Sequence, residues 1–177
     1  MNFEKVLLVK FGWSEAYQGR EVAGNFDYLQ DADGAERYTF APYDGVYYGY
    51  VPPSGIVDTA RNDENDGWTV IFVAKEPSKT GLHIVGWYED ATLANGRPAV
   101  ERDGRKVTYS ITAPTAYFVP LEHRTNSFSN VHVGSLKFSF LAGPNKTMEP
   151  WKADLLHELE KRIKAVHASA IRNPVKV

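Results

Sequence analysis

The chain has 177 residues, 43% hydrophobic and 24% charged, with a formal net charge of −2, enough for one domain with its own core. It contains no cysteine, which excludes disulfides and thiolate metal sites, and its five histidines show no HxH or HExxH pairing, so neither a metal nor a cofactor is expected. No apolar run approaches the length of a membrane span and the apolar stretch of MNFEKVLLVKF is too short for a secretion signal, so a cytoplasmic protein without membrane contact is expected.

Taken in order, strand-like segments occupy VLLVKFGW (6–13), ERYTFAPY (36–43), VYYGYV (46–51), WTVIFVA (68–74), LHIVGWY (82–88), KVTYSITA (106–113), AYFVP (116–120) and LKFSFLA (136–142). Turn chemistry separates them at Asp33-Gly34, Asp44-Gly45, Pro52 to Gly55, Asp66-Gly67, Asn95-Gly96 and Asp103-Gly104. WTVIFVA is apolar throughout and belongs at the centre of a sheet, whereas the alternation from Lys106 to Ile111 predicts antiparallel strands with one wet face. Asp58–Asn65 reads either as a short helix or as a loop. From Pro150, Leu155, Leu156, Leu159, Ile163 and Val166 recur at helical spacing up to Asn173-Pro174, predicting one amphipathic helix over 151–171 with Glu158/Arg162 and Glu160/Lys164 as i,i+4 pairs on its solvated face. The expected fold is α+β, a mixed or largely antiparallel curved β-sheet with this C-terminal helix packed on it, as a single domain over 1–177.

Charge is unevenly distributed: residues 1–74 carry five Lys/Arg against twelve Asp/Glu, and residues 75–177 carry fifteen against ten. A basic second half can present a local positive face to phosphates even in a chain of near-neutral charge. Three loops concentrate its cations: Lys75 and Lys79 around Pro77, Arg102, Arg105 and Lys106 around Asp103-Gly104, and His123, Arg124 and Asn126 after AYFVP. If they share one end of the sheet, they form a positive rim around an apolar floor; read singly, each is a solvated loop. GxSxG, Walker A and GxGxxG motifs are absent. Glu101 and Asp103 offer carboxylates for a magnesium-dependent nuclease, but Asp103-Gly104 reads better as a hairpin turn, and no catalytic activity is expected of the chain.

VYYGYVPP (46–53), TVIFVAKEP (69–77) and IVGWYEDATL (84–93), preceded by GAERYTF (34–40), resemble in order and spacing the DNA-recognition domain of McrA-type HNH restriction endonucleases, over roughly residues 20–125. That family includes sulfur-binding domains that recognise a phosphorothioate, in which sulfur replaces a non-bridging phosphate oxygen. The resemblance implies a reader of modified double-stranded DNA in a restriction or defence context, working with a partner or fused nuclease. It also implies a shallow sulfur cavity at Glu76, Pro77, Ser78, Thr80 and Tyr88, with Pro77 at its centre, because sulfur is larger, softer and less hydrated than oxygen and favours apolar surface. Glu76 stands where an aromatic residue would complete that cavity, and no His-Asn-His segment is present. In the GWY segment, Gly86 and Trp87 are expected to be scaffold, Glu89–Thr92 the strand's exit, and Tyr88 a secondary contact. Alternative readings are a modified-base reader, the small nuclease, and a protein–protein interaction domain using Tyr47, Tyr48 and Tyr50.

Overall fold

The computed structural model describes residues 1–19, 35–51, 64–94, 98–125 and 127–175. Among these residues there are ten strands: β1 (Val6–Phe11), β2 (Tyr47–Gly49), β3 (Trp68–Ala74), β4 (His83–Leu93), β5 (Ala99–Arg102), β6 (Arg105–Thr108), β7 (Ile111–Ala113), β8 (Thr115–Phe118), β9 (Phe138–Ala142) and β10 (Ile171–Arg172). Two α-helices join them among the described residues, the single-turn α1 (Val131–Gly134) and the long α2 (Pro150–Val166). The main sheet runs β10-β8-β4-β3-β1-β9, with β7 branching from the far end of β4 to pair with β2. It is an open mixed sheet in which β1 and β3 are parallel and the remaining pairs antiparallel. The fold is α+β, with α2 packed on the sheet.

β3 is central and every residue of it is buried, as its largely apolar run predicts. The two faces of β1 and β3 feed different cores. Val6, Leu8, Ile71 and Val73 pack with Trp87 and with Leu155, Leu159 and Ile163 of α2. Leu7, Val9, Phe11, Trp68, Val70 and Phe72 pack instead with Trp13, Tyr17, Phe40 and Tyr88. The expected wet face is therefore corrected: the segments 13–19 and 35–51 cover it, and the alternating KVTYSI segment lies largely outside this sheet, in the separate β5–β6 hairpin.

Three further expectations shift. ERYTFAPY is no strand but a 3-10 turn (Ala35–Tyr38) and a following bend, held by Thr39 Oγ1 donating to Glu36 O at 2.7 Å and by Gly12 N donating to the buried Glu36 carboxylate at 3.0 Å. β4 continues through Glu89–Thr92 to Leu93, because Asp90 adopts a left-handed conformation (φ 54°) at a register shift and the strand resumes beyond it to pair with β7. α2 stops at Val166, and Ile171 and Arg172 pair with the edge of β8 instead of extending the helix. Both helix pairs form, Arg162–Glu158 and Lys164–Glu160, at 2.6 and 2.7 Å. The Asp103-Gly104 hairpin forms with both φ values positive (51° and 75°), as a two-residue turn of this composition requires. Asn95-Gly96, Asp33-Gly34, Pro52 to Gly55 and, of Asp58–Asn65, all but Glu64 and Asn65 lie outside the described residues.

Candidate phosphate-binding cleft

Antiparallel pairing sends the exits of β1, β3 and β8 and the entrance of β4 to one end of the sheet. The 75–80 and 121–125 loops therefore share that end. The β5–β6 hairpin follows the opposite end of β4, and its Arg102 reaches Ala41 on the face away from α2, so the expected three-loop rim reduces to two loops.

Arg102 and Arg124 are corrected from DNA-binding residues to structural ones, each 5% exposed. Arg102 donates to Ala41 O at 2.7 Å and lies over the Tyr38 and Tyr43 rings, tying the hairpin to the body. Arg124 donates to the carbonyls of Val119 (2.8 Å), Ser14 (2.7 Å) and Glu15 (2.9 Å), and its guanidinium packs on Trp13, Tyr17 and Phe118. A planar fork with fixed donors is suited to such carbonyl bridging, and a lysine is not. Tyr88 is likewise removed from the sulfur cavity: it is wholly buried, surrounded by Phe40, Phe72 and Tyr47, and its hydroxyl donates to Thr39 O. Arg105, Lys106 and His123 are exposed, the first two remote from the shared end; Asn126 lies outside the described residues.

Within the 75–80 loop the side chains divide. Glu76 pairs with Lys79 at 2.9 Å and accepts from Ser78 Oγ at 3.3 Å, and the Lys79 hydrogen bond holds its carboxyl below the usual range. Thr80 is exposed. Lys75 and Pro77 instead line a cleft of about 720 Å³ with Lys10, Trp13, Leu82, Phe128 and residues of α1. Sequence reasoning missed Lys10, Trp13 and Phe128. The available signal for Lys10 was its place as the one charge in VLLVKF, where an interior lysine needs a reason.

That reason is the cleft. Lys10 leaves β1 on the same face as Val6 and Leu8, and its Nζ donates to Gly134 O at 2.5 Å and Val133 O at 3.4 Å, a cation at the C-terminal end of α1. α1 is held in turn by Asn130, whose Oδ1 accepts from His132 N and Val133 N, and by the His132 ring stacked on Trp151 of α2 at 4.7 Å. Burial, and then the charge of Lys75, lower the Lys10 pKa. Neither lysine has a carboxylate within ion-pairing distance among the described residues, so two like charges meet without a counter-charge beside a floor of Leu82 and Phe128.

His83 stands behind this end, its ring against Trp13 and its Nδ1 bonded to Arg124 O at 2.7 Å. Nε2 has no partner among the described residues. Burial holds the imidazole below its ordinary value, against the opposing effects of that hydrogen bond and of Glu76. A depressed folded-state pKa means the unfolded chain binds the proton more readily, so the contribution is present above the unfolded value of about 6.5 and lost as pH falls from there toward the folded pKa. Unfolding free energies from pH 7.5 down to 5 should decline less steeply in His83→Asn than in the parent; identical slopes would show that His83 does not titrate differently on folding.

Among the described residues no helix is long and apolar enough to cross a membrane, and no group of three or more His, Asp or Glu gathers as a metal site. Comparison with protein-family models, with curated proteins and with solved structures finds no match.

Proposed function

We propose that the protein is a DNA-binding module that reads a modified backbone, with the phosphorothioate as the favoured modification, and that its contact is the cleft of Lys10, Lys75 and Pro77. The observation that carries this reading is the pair of lysines without an acidic partner at an apolar floor. Their charge attracts a phosphate of either kind, while Pro77, Leu82 and Phe128 offer surface on which sulfur loses less hydration than oxygen. The resemblance to the recognition domain of McrA-type endonucleases runs through the same Lys75–Pro77 loop. A cytoplasmic role in restriction or defence, beside a nuclease supplied by a partner or a fused domain, accompanies this reading.

Matched duplexes test it, unmodified, base-methylated and phosphorothioate, in an anisotropy titration followed by incubation with magnesium. Lys75→Glu should weaken binding to the phosphorothioate duplex by about tenfold or more and flatten its salt dependence, because a phosphate contact releases counterions. Pro77→Gly should remove the preference for sulfur while leaving weak binding to ordinary DNA. Equal affinity of the parent protein for all three duplexes would refute sulfur recognition, and cleavage on adding magnesium would favour the nuclease reading instead.

A further inference from the structure

The cleft is small and its surroundings are acidic. Its volume of about 720 Å³ falls within the range of sites for single small molecules, roughly 300–1,000 Å³, rather than that of a surface that tracks a duplex. Of the cations at this end, Lys79 is paired with Glu76, Arg124 is taken by three backbone carbonyls and Lys10 donates to two carbonyls of α1, which leaves Lys75 and the remaining donor of Lys10 for a phosphate. Glu15, Glu76 and Glu122 all lie within electrostatic reach of the Arg124 guanidinium, which places three carboxylates around the same end of the sheet. Glu15 and Glu122 are exposed. A duplex laid across it brings successive phosphates on both strands toward these anions. A lone phosphate delivered into the cleft meets the two lysines and avoids the carboxylates.

The cleft also offers apolar surface beside its charges. Pro77 is exposed, and Val131, the first residue of α1, is 86% exposed, so two apolar groups stand at the cleft with Leu82 and Phe128 behind them. A duplex presents its stacked bases edge-on and sealed between its backbones, so beyond a backbone sulfur it leaves most of this surface uncovered. An unpaired nucleotide joins a phosphate to a sugar and an apolar base face within one unit of the cleft's size.

Resting on the proposed reading of DNA, we infer that the cleft takes one unpaired nucleotide of a DNA strand, its phosphate or phosphorothioate between Lys10 and Lys75 and its base against Pro77, Leu82, Phe128 and Val131. A paired duplex interior reaches this arrangement only at the cost of unpairing and unstacking a nucleotide, so the preferred ligand is an overhang, a bulge or a nucleotide turned out of the helix.

The full chain is titrated by anisotropy against a blunt phosphorothioate duplex, the same duplex with one bulged nucleotide at the modified position, the corresponding single strand, and a free nucleoside phosphorothioate as competitor, each at several salt concentrations. The bulge should tighten binding by about tenfold or more, with a slope of log K against log salt corresponding to one or two phosphates, against the six to ten contacts of proteins that track a duplex. Lys75→Glu should abolish the gain and Val131→Ser should reduce it, with circular dichroism confirming that both variants are folded. No gain from the bulge, a gain that survives Lys75→Glu, or a salt slope typical of duplex tracking would overturn the single-nucleotide inference and leave the DNA reading standing. Absence of binding to every DNA would overturn both.

Discussion

Replacing Arg124 with alanine is expected to destabilise the protein by about 4 kcal/mol, since removing one member of a buried hydrogen-bonded arrangement strands its partners without water. Three carbonyls lose their donor at once, those of Val119, Ser14 and Glu15, and three aromatic rings lose the plate that packs on them. The bonds are not independent, so the loss is smaller than three charged hydrogen bonds summed. Arg124→Lys should recover only part of it, because an ammonium on a flexible stem cannot bridge three divergent acceptors. Urea denaturation of the parent and both variants checks this through the transition midpoint, with the slope m unchanged. Burial also predicts that the salt dependence of the proposed DNA binding is the same in folded Arg124→Ala and parent protein. A cost under about 1 kcal/mol together with a shallower salt slope would return Arg124 to the interface.

A single methyl group at position 86 should be nearly as damaging. A Cβ on Gly86 would land on the Cζ of Phe40 and on the carbonyl oxygen of Tyr117 in the neighbouring strand. Side-chain relaxation can relieve the first contact but not the second, because β8 is held to β4 through the pairs Gly86↔Phe118 and Trp87↔Tyr117. Gly86→Ala is expected to cost about 3 kcal/mol, at the upper end of ordinary overpacking because backbone must move. That corresponds to a fall of about 6–12 °C in Tm for a chain of this size. Combining it with Phe40→Leu should restore only a fraction. Complete rescue by that pair would show that the ring alone, and not the adjacent strand, required the glycine.

These two residues mark where the sequence was legible and where it was not. Gly86 stands beside two large rings in a strand, a local anomaly that already announces close packing, and the structure supplies Phe40 as the neighbour. β3, the apolar stripe of α2 and the Asp103-Gly104 hairpin were legible for the same reason: each is decided by residues adjacent in the chain. Arg124 was not, because an arginine in a polar loop looks solvated until Ser14 and Glu15 arrive from the other end of the chain. Lys10 and Lys75 meet only because β1 and β3 lie parallel, a pairing no turn signal encodes. ERYTFAPY has strand composition but lays Phe40 on the sheet core, where tertiary burial outweighs local propensity.

The parallel pair also governs how fast this protein can reach its native state. β1 finds Thr69 and its neighbours on one side and, on the other, a strand that includes Phe140, so its hydrogen bonds close loops spanning much of the chain. Each closure loses entropy before any burial rewards it, and topologies dominated by distant pairings fold on the slow side, in milliseconds to seconds. Until then VLLVKF is an unpaired apolar strand with a single lysine to interrupt it, the kind of segment through which partly folded chains associate. Lys10 thus has an earlier task than any ligand: while the chain is still open, it is the one charge that discourages β1 from pairing with a copy of itself.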